Sequence, residues 1–123
     1  MLFIEPGQPW PPEALVLENT ADVLALAAQL AEHASVVLRF PKWTDGRAYS
    51  QAVLLRSRLR YVGEIIAVGE VLADMLPLLR RCGFDAVQLR ADQAQETAER
   101  ALGFMPGHYQ TVASERVPAR SDL

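Results

Sequence analysis

Cysteine and histidine are scarce in this 123-residue chain, and each scarcity narrows the chemistry available to it. Cys82 is its single cysteine, so one chain can build neither a disulfide framework nor a cysteine-based metal site. That favours a reducing compartment. The two histidines, His33 and His108, belong to no HExxH or other paired His/carboxylate pattern, and we therefore expect no metal.

Long hydrophobic runs and nucleotide-binding motifs are also missing. No apolar stretch approaches the roughly 20 residues that span a bilayer, and the first residues lack the basic and apolar parts of a signal peptide. Neither GxxxxGKS/T nor GxGxxG follows a candidate strand. The sequence thus predicts a soluble, cytoplasmic protein without a nicotinamide, a flavin or any other cofactor.

Charge is unevenly distributed, although the net charge is only −3. Residues 1–38 hold five acidic and no basic side chains, whereas residues 39–90 hold nine basic and five acidic ones. Eleven of the twelve basic residues are arginine, whose planar guanidinium suits carboxylates and other oxyanions. The net charge argues against nucleic acid as a partner, and the arginine-rich segment 39–90 is suited to an acidic protein.

Apolar runs bounded by turn residues predict alternating strands and helices. We expect strands at Leu15–Leu17, Val36–Phe40, Glu64–Val68, Asp85–Leu89 and Tyr109–Ala113. Helices would lie between them. The first would be capped by Asn19 or Thr20 with a buried stripe of Val23, Leu26, Ala27, Leu30 and Ala34, and later ones by Asp45 and Asp92.

The sequence also predicts which residues of the second helix are buried and where the third helix begins and ends. In the second, Tyr49, Val53 and Leu54 would face inward, and Arg56, Arg58 and Arg60 would lie largely outside. The third would begin near Asp74 and end at Cys82, with Pro77 in its first turn and Gly83 as its left-handed cap. A thiol at that helix end has a raised pKa, so Cys82 is expected to be a buried structural residue.

The alternation predicts an α/β fold: a mostly parallel sheet of four to five strands with helices on its faces. Two closures are open, a flavodoxin- or Rossmann-like sheet and a half TIM barrel that would need a partner subunit. Residues 1–13 contain four prolines and are expected to be an extended lead-in. Residues 14–113 would form a single domain, followed by a loose tail over 114–123.

A candidate site follows from the direction of the strands. Ligands of open parallel sheets bind beyond the carboxyl ends of the strands, where three polar segments would meet. The candidate ligand-binding residues there are Arg39, Lys42, Trp43, Asp45, Arg47, Glu70 and Arg90. Catalytic residues stay unknown, and whether the protein is an enzyme is open, with the balance toward no.

The segment Asp45-Gly46-Arg47-Ala48-Tyr49-Ser50 begins a resemblance to a bacterial family of unknown function. It continues through Ala52, Leu55-Arg56, Gly63-Glu64, Ala67-Val68-Gly69 and Asp74, and ends at Arg81-Cys82-Gly83-Phe84-Asp85. The resemblance covers about residues 20–113. In this chain Ile66 stands where the family usually has Arg, and Glu70 where Asp is usual.

What the resemblance implies is a metabolic context. In proteobacteria the genes of this family commonly lie beside assimilatory sulfite reductase, which implies sulfite reduction, cysteine biosynthesis and the cytosol. It implies no reaction. The positions that match its motif are Asp45, Gly46, Arg47, Tyr49, Ser50, Arg56, Glu64, Gly69, Asp74 and Arg81.

Three hypotheses about function follow. The first is an accessory protein of sulfite reduction that binds the reductase or its electron donor, such as an acidic ferredoxin. The second is a small protein or enzyme that binds an oxyanion or sulfur metabolite at the strand-end cluster. The third is a structural homodimer.

Overall fold

The computed structural model describes residues 1–103, in which five strands form one parallel sheet. The strands are β1 (Leu2–Ile4), β2 (Leu15–Leu17), β3 (Ser35–Phe40), β4 (Glu64–Gly69) and β5 (Ala86–Gln88). Every pairing between them is parallel, which confirms the predicted α/β fold. The strand expected at Tyr109–Ala113 and the tail over 114–123 lie outside the described residues.

The order of the strands is β1-β5-β4-β3-β2. Strands β2 to β5 are therefore neighbours in chain order, as in a TIM barrel, without the reversal that defines flavodoxin-like and Rossmann-like sheets. Because parallel crossovers are right-handed, this order puts every connecting helix on one face of the sheet. Of the two closures left open by the sequence, the strand order follows the barrel-like one.

In the described part of the chain, four helices connect and follow these strands. They are α1 (Ala27–Leu30), α2 (Arg47–Ser57), α3 (Leu76–Cys82) and α4 (Gln95–Leu102), with 3-10 turns at Val23–Leu26 before α1 and at Ala73–Met75 before α3. The first helix is shorter than expected. Val23 and Leu30 are buried as predicted, but Ala27 and Ala34 are exposed.

None of the three predicted helix caps stands at the N-cap position. Asp22, rather than Asn19 or Thr20, caps the first helical segment by accepting a hydrogen bond from the Leu24 amide at 3.1 Å. Ala94, rather than Asp92, stands at the N-cap of α4. The physical reason is competition, because Asn19 and Asp92 bind other side chains, as described below.

The third helix follows its prediction more closely. Pro77 lies in its first turn, where the missing amide costs no internal hydrogen bond. Gly83 ends the helix with a φ of 108°, in the left-handed region that favours glycine. The α3–β5 connection therefore turns as the sequence indicated.

Helix α2 is rotated relative to the predicted orientation. Its buried residues are Ala48, Gln51, Ala52, Leu55 and Arg56. Val53 is 44% exposed, so its predicted inward position is wrong, and so is the outward position of Arg56. A buried carboxylate beneath α2 accounts for this rotation, because it makes Arg56 an inward-facing residue.

The two faces of the sheet are covered differently. The larger core lies on the helical face, around Phe40, Leu55, Ile65 and Leu79. A small cluster of Val37, Ile66, Val68 and Ala86 lies on the other face, where Ile4, Trp10 and Ala14 pack against it. The expected lead-in is therefore part of the fold.

Residues 5–14, here named the N-terminal strap, cross that second face from β1 to β2. The Gln88 side chain holds the strap by donating to the carbonyl oxygens of Glu5 and Gln8 at 2.9 and 2.7 Å. Strand β1 itself was not expected, since the prolines concealed the apolar run before them. Within residues 1–103 no helix has the length and hydropathy to cross a membrane.

Candidate functional site

The carboxyl edge of the sheet gathers the predicted site residues, because all five strands run in the same direction. Glu18, Pro41, Glu70 and Leu89 are the first residues after β2, β3, β4 and β5. Gly69 shapes one of these exits with a φ of 102°. A Cβ there would lie 2.5 Å from the Phe40 carbonyl oxygen. Because glycine has no Cβ, the Glu70 amide can donate a hydrogen bond to that oxygen at 2.8 Å.

Asp45 is the centre of a first cluster on this edge. It accepts from the Arg47 amide at 3.0 Å, from Arg47 Nη2 at 2.7 Å and from Asn19 Nδ2 at 2.7 Å. The Arg47 guanidinium lowers the pKa of Asp45 to about 2. Gly46, rather than Asp45, stands at the N-cap of α2. Asp45 still accepts from the amide of Arg47, the first residue of that helix, and the same carboxylate binds the Arg47 side chain.

Arg39 belongs to a second cluster, on the helix-free face of the sheet. Its Nε lies 3.0 Å from Glu18 Oε2, although the two are not aligned for a hydrogen bond. Its guanidinium carbon lies 5.9 Å from the centre of the Trp10 ring, within the range of a cation–π contact. Arg39 therefore contacts the N-terminal strap and the β2 exit.

Arg90 forms a third cluster with two acids. Its Nη1 donates to Glu70 Oε1 at 2.9 Å, and its Nε and Nη2 donate to the two oxygens of Asp92 at 2.6 and 2.8 Å. These bonds raise the pKa of Arg90 and lower that of Asp92. This bidentate pairing explains why Asp92 does not cap α4.

The three clusters share an edge but do not form one charged pocket. Among the described residues no hydrogen bond or ion pair joins them. Lys42 and Trp43 are exposed beside them, with Trp43 54% exposed. Within residues 1–103 the edge holds four cations and four carboxylates, and each of its three arginines is paired with a carboxylate. The structure thus brings the predicted residues to one edge and leaves their guanidinium groups already occupied.

Arg56 is the most extensively bonded side chain that the sequence analysis missed. Its Nη2 lies 2.6 Å from Asp85 Oδ2 and 2.8 Å from the Gly83 oxygen, and its Nε also donates to Gly83. Its Nη1 donates to the Tyr61 and Gly63 oxygens, both at 2.8 Å. All five donors of the guanidinium are used, and Asp85 also accepts from the Ile65 amide.

This buried network ties one helix to two of the connections between elements. It joins α2 to the loop before β4 and to the turn before β5. The only signal in the sequence was that both Arg56 and Asp85 fall within segments that carry the resemblance. Helical periodicity alone places arginine outside, since it cannot show a buried carboxylate 29 residues away.

The amino edge of the sheet has a different character. Helices α2 and α3 run antiparallel to the strands, so their last turns reach this edge. Arg58 and Arg60 follow α2, and Arg80 and Arg81 end α3. Arg58 and Arg81 are exposed and form no ion pair within residues 1–103. The helix C-termini favour these cations.

An open groove of about 460 Å³ lies on the same edge. One wall is the end of α1 with the residues that follow it, and the other is the loop between α2 and β4. Its lining residues are Ala27, Leu30, Ala31, His33, Ala34, Leu59, Arg60, Tyr61, Val62 and Gly63. The groove is at the opposite end of the sheet from the predicted site.

The other residues that match the motif of the resemblance pack against the core, lie at the start of β4 or lie on the surface. Tyr49 packs edge-on against Phe40 with ring centres 5.1 Å apart, and burial raises its pKa. The Glu64 amide donates to the Ala34 oxygen where β4 begins. Ser50, Asp74 and Arg81 are exposed.

Neither Cys82 nor His33 belongs to a group of metal-binding side chains within the described residues. Burial raises the pKa of the Cys82 thiol, with Arg81 acting in the opposite direction. Within residues 1–103 no three histidine, cysteine or carboxylate side chains converge as metal ligands would. His33 instead places Nδ1 2.8 Å from the Glu13 carbonyl oxygen.

Comparison with known proteins adds one finding. A family model described as a bacterial protein of unknown function matches residues 14–120. No curated protein and no solved structure matches the chain.

Proposed function

The chain belongs to this bacterial family, DUF934, and from that membership we propose that it is a non-catalytic accessory protein of assimilatory sulfite reduction. It would act in the cytosol by binding sulfite reductase or the electron donor of that enzyme. The pathway comes from the context that the resemblance implies, and the mode of action comes from the distribution of charge.

One observation carries the proposal. The arginines on the carboxyl edge are paired with the chain's own carboxylates, whereas Arg58 and Arg81 on the amino edge are exposed without such partners among the described residues. Helices α2 and α3 pack against each other, and their last turns carry these two arginines to the same edge of the sheet. Exposed guanidinium groups that have no internal partner are available to the carboxylates of another protein.

An acidic electron donor such as a ferredoxin fits this surface best. Complementary charge steers encounter and sets orientation more than it sets affinity, which suits a transient complex. Salt sensitivity should therefore be pronounced, because exposed pairs are screened at physiological ionic strength.

Titration at low salt tests the proposal. Purified ferredoxin and the purified sulfite reductase haemoprotein would each be titrated against the chain by calorimetry, at about 20 mM and 200 mM salt. We expect binding to one of them at low salt, about tenfold weaker in the double variant Arg58→Glu/Arg81→Glu.

Lys42→Glu is the matched control. Lys42 is an exposed cation on the other edge, so its reversal changes net charge without touching the proposed surface. Because Lys42→Glu reverses one charge and the double variant reverses two, a loss of binding free energy in Lys42→Glu equal to half that of the double variant would reduce the effect to net charge. Absence of binding to either protein at micromolar concentrations would overturn the proposal.

Growth provides an independent test of the pathway. Deletion of the gene should slow growth on sulfate as sole sulfur source, and added cysteine should restore it. Undiminished growth on sulfate would contradict the proposed role in sulfite reduction.

The oxyanion-binding alternative has less support. Arg47 and Arg90 already use their guanidinium forks on Asp45 and on Glu70 and Asp92. An incoming sulfite or sulfate would have to displace a carboxylate of like charge from each of them.

A further inference from the structure

The loop Arg58–Gly63, here named the amino-edge loop, presents an apolar side chain directly to solvent. Val62 is 88% exposed, the most exposed large hydrophobic residue among those described. The backbone on either side of it is fixed, because Arg56 Nη1 bonds the Tyr61 and Gly63 carbonyl oxygens at 2.8 Å. The exposure of Val62 is therefore built into the fold.

The same loop is fastened to the opposite wall of the groove. Tyr61 Oη donates to the His33 carbonyl oxygen at 2.8 Å, which links the amino-edge loop to the α1–β3 connection. Arg60 adopts a φ of 56°, the single positive value at a non-glycine residue in residues 1–103. Both walls are thus held in place without a ligand, and a pre-formed site costs little ordering on binding.

The chemistry of the groove is apolar on its walls and basic at one rim. Leu30, Leu59 and Tyr61 line it together with three alanines. Arg60 lines the groove on the loop side, and Arg58 precedes the lining residue Leu59 in the chain. Both arginines are exposed. Apolar anchors seated in a pocket beside charged rim contacts are the usual source of affinity in small protein interfaces.

We propose that this groove binds an aromatic side chain of a partner segment whose neighbouring acidic residues contact Arg58 and Arg60. The inference deepens the proposed function, because it names the element of the acidic partner that would be recognised. The apolar walls of the groove favour an aromatic side chain. Charge complementarity with the two arginines favours carboxylates on the residues beside it. The exposed Glu32 after α1 disfavours acids on the other side.

A peptide titration followed by NMR tests the groove without the natural partner. The probe is an acetylated, amidated peptide Asp-Asp-Phe-Asp-Asp, and the control peptide has Gly in place of Phe. We expect the Phe peptide to shift the methyl signals of Leu30, Ala31, Leu59 and Val62, and the control peptide to shift them far less.

A matched pair of variants localises the contact. Ala31, the C-cap residue of α1, lines the groove, whereas Ala28 is exposed within α1 and lies outside the groove. We expect Ala31→Leu to fill the groove and weaken the Phe peptide about fivefold, with Ala28→Leu unchanged. Circular dichroism of both variants would verify that they fold.

The outcomes separate the two proposals. Shifts outside the groove, equal shifts with the Gly peptide, or equal behaviour of the two leucine variants would each overturn the groove proposal. Peptide binding at the groove together with no binding of ferredoxin or reductase would support the groove and overturn the proposed partners instead. Ferredoxin or reductase binding that Ala31→Leu leaves unchanged would retain the proposed function and overturn the aromatic anchor.

Discussion

The two edges of the sheet use the same residue type in opposite ways. On the carboxyl edge, Arg39, Arg47 and Arg90 each face a carboxylate of the chain within 3.0 Å. On the amino edge, Arg58 and Arg81 have no ion pair among the described residues. The arginine-rich segment is therefore not one surface, and only local pairing shows which of its arginines are available.

Helix polarity explains much of this sorting. The amino-terminal ends of α2 and α4 lie at the carboxyl edge, where the helix dipole favours Asp45 and Asp92 and these in turn attract Arg47 and Arg90. The carboxyl-terminal ends lie at the other edge, where the dipole favours arginine directly. An ion pair is then not needed to keep the cation in place.

The largest expected effect concerns Arg56, a buried arginine near the amino edge that is paired with Asp85. Arg56→Ala removes five donors and leaves Asp85 without its cation, so the free energy of unfolding should fall by about 3–5 kcal/mol. Urea denaturation would measure it. The matched control is Arg58→Ala, two residues away and exposed, which should change stability by less than about 0.5 kcal/mol.

That result would separate an arginine that stabilises the fold from one that is available to a partner. A loss below about 1 kcal/mol in Arg56→Ala would contradict the structural role assigned to the network.

A smaller effect is expected at Gly83, which lies against Arg56. Its φ of 108° disfavours any side chain, and a Cβ there would lie 2.6 Å from Arg56 Cγ. Gly83→Ala should therefore cost about 1–3 kcal/mol. In the Arg56→Ala background the steric part disappears, so the two changes should be coupled by about 1 kcal/mol.

Gly46 supplies the control for this measurement. Its φ is −88° and a Cβ would meet only Tyr49, at 3.9 Å, so the cost of Gly46→Ala should be limited to the weaker N-cap preference of alanine, about 1 kcal/mol or less. Additive behaviour of the Gly83 and Arg56 variants would contradict their direct contact.

The smallest effect is expected on the carboxyl edge, at Asp45. Its pKa is lowered from 3.8 to about 2, so the folded state binds this proton less readily than the unfolded state. The contribution to stability is fully present above pH 3.8 and is lost as the pH falls toward 2. Unfolding temperatures of Asp45→Asn and the wild type should therefore converge over that interval.

Arg47→Gln is the companion variant, because it leaves the carboxylate and removes the cation that lowers its pKa. Its stability should depend on pH over that interval less steeply than that of the wild type. Parallel curves for all three proteins would contradict the pairing of Asp45 with Arg47.

The fold class was accessible from the sequence because its core strands are continuous apolar runs. Val36–Phe40 and Glu64–Val68 were predicted within one residue of β3 and β4. Strand order was not accessible, since consecutive and reversed arrangements share the same pattern of strands and helices. The common edge of the candidate site followed from parallel strands, but the pairing of each arginine depended on side-chain contacts.

Two errors have a shared physical origin. Arg56 was expected outside and the lead-in was expected to lie apart from the core, because polarity and proline content are local signals. Long-range contacts overrode both. A carboxylate on the β5 side draws Arg56 inward, and the apolar surface of Val37, Ile66 and Val68 draws Trp10 over it.

The N-terminal strap also governs when folding can be completed during synthesis. β1 pairs with β5, and the hydrogen bond from Gln88 to Glu5 joins residues 83 positions apart. As the chain leaves the ribosome, β1 and Trp10 emerge long before the residues that they contact. Val37 and Ile66 emerge next, while the sheet is still incomplete and their apolar face is still exposed. Late, non-local closure of this kind slows folding and leaves an apolar face open to aggregation or chaperone binding until β5 has emerged.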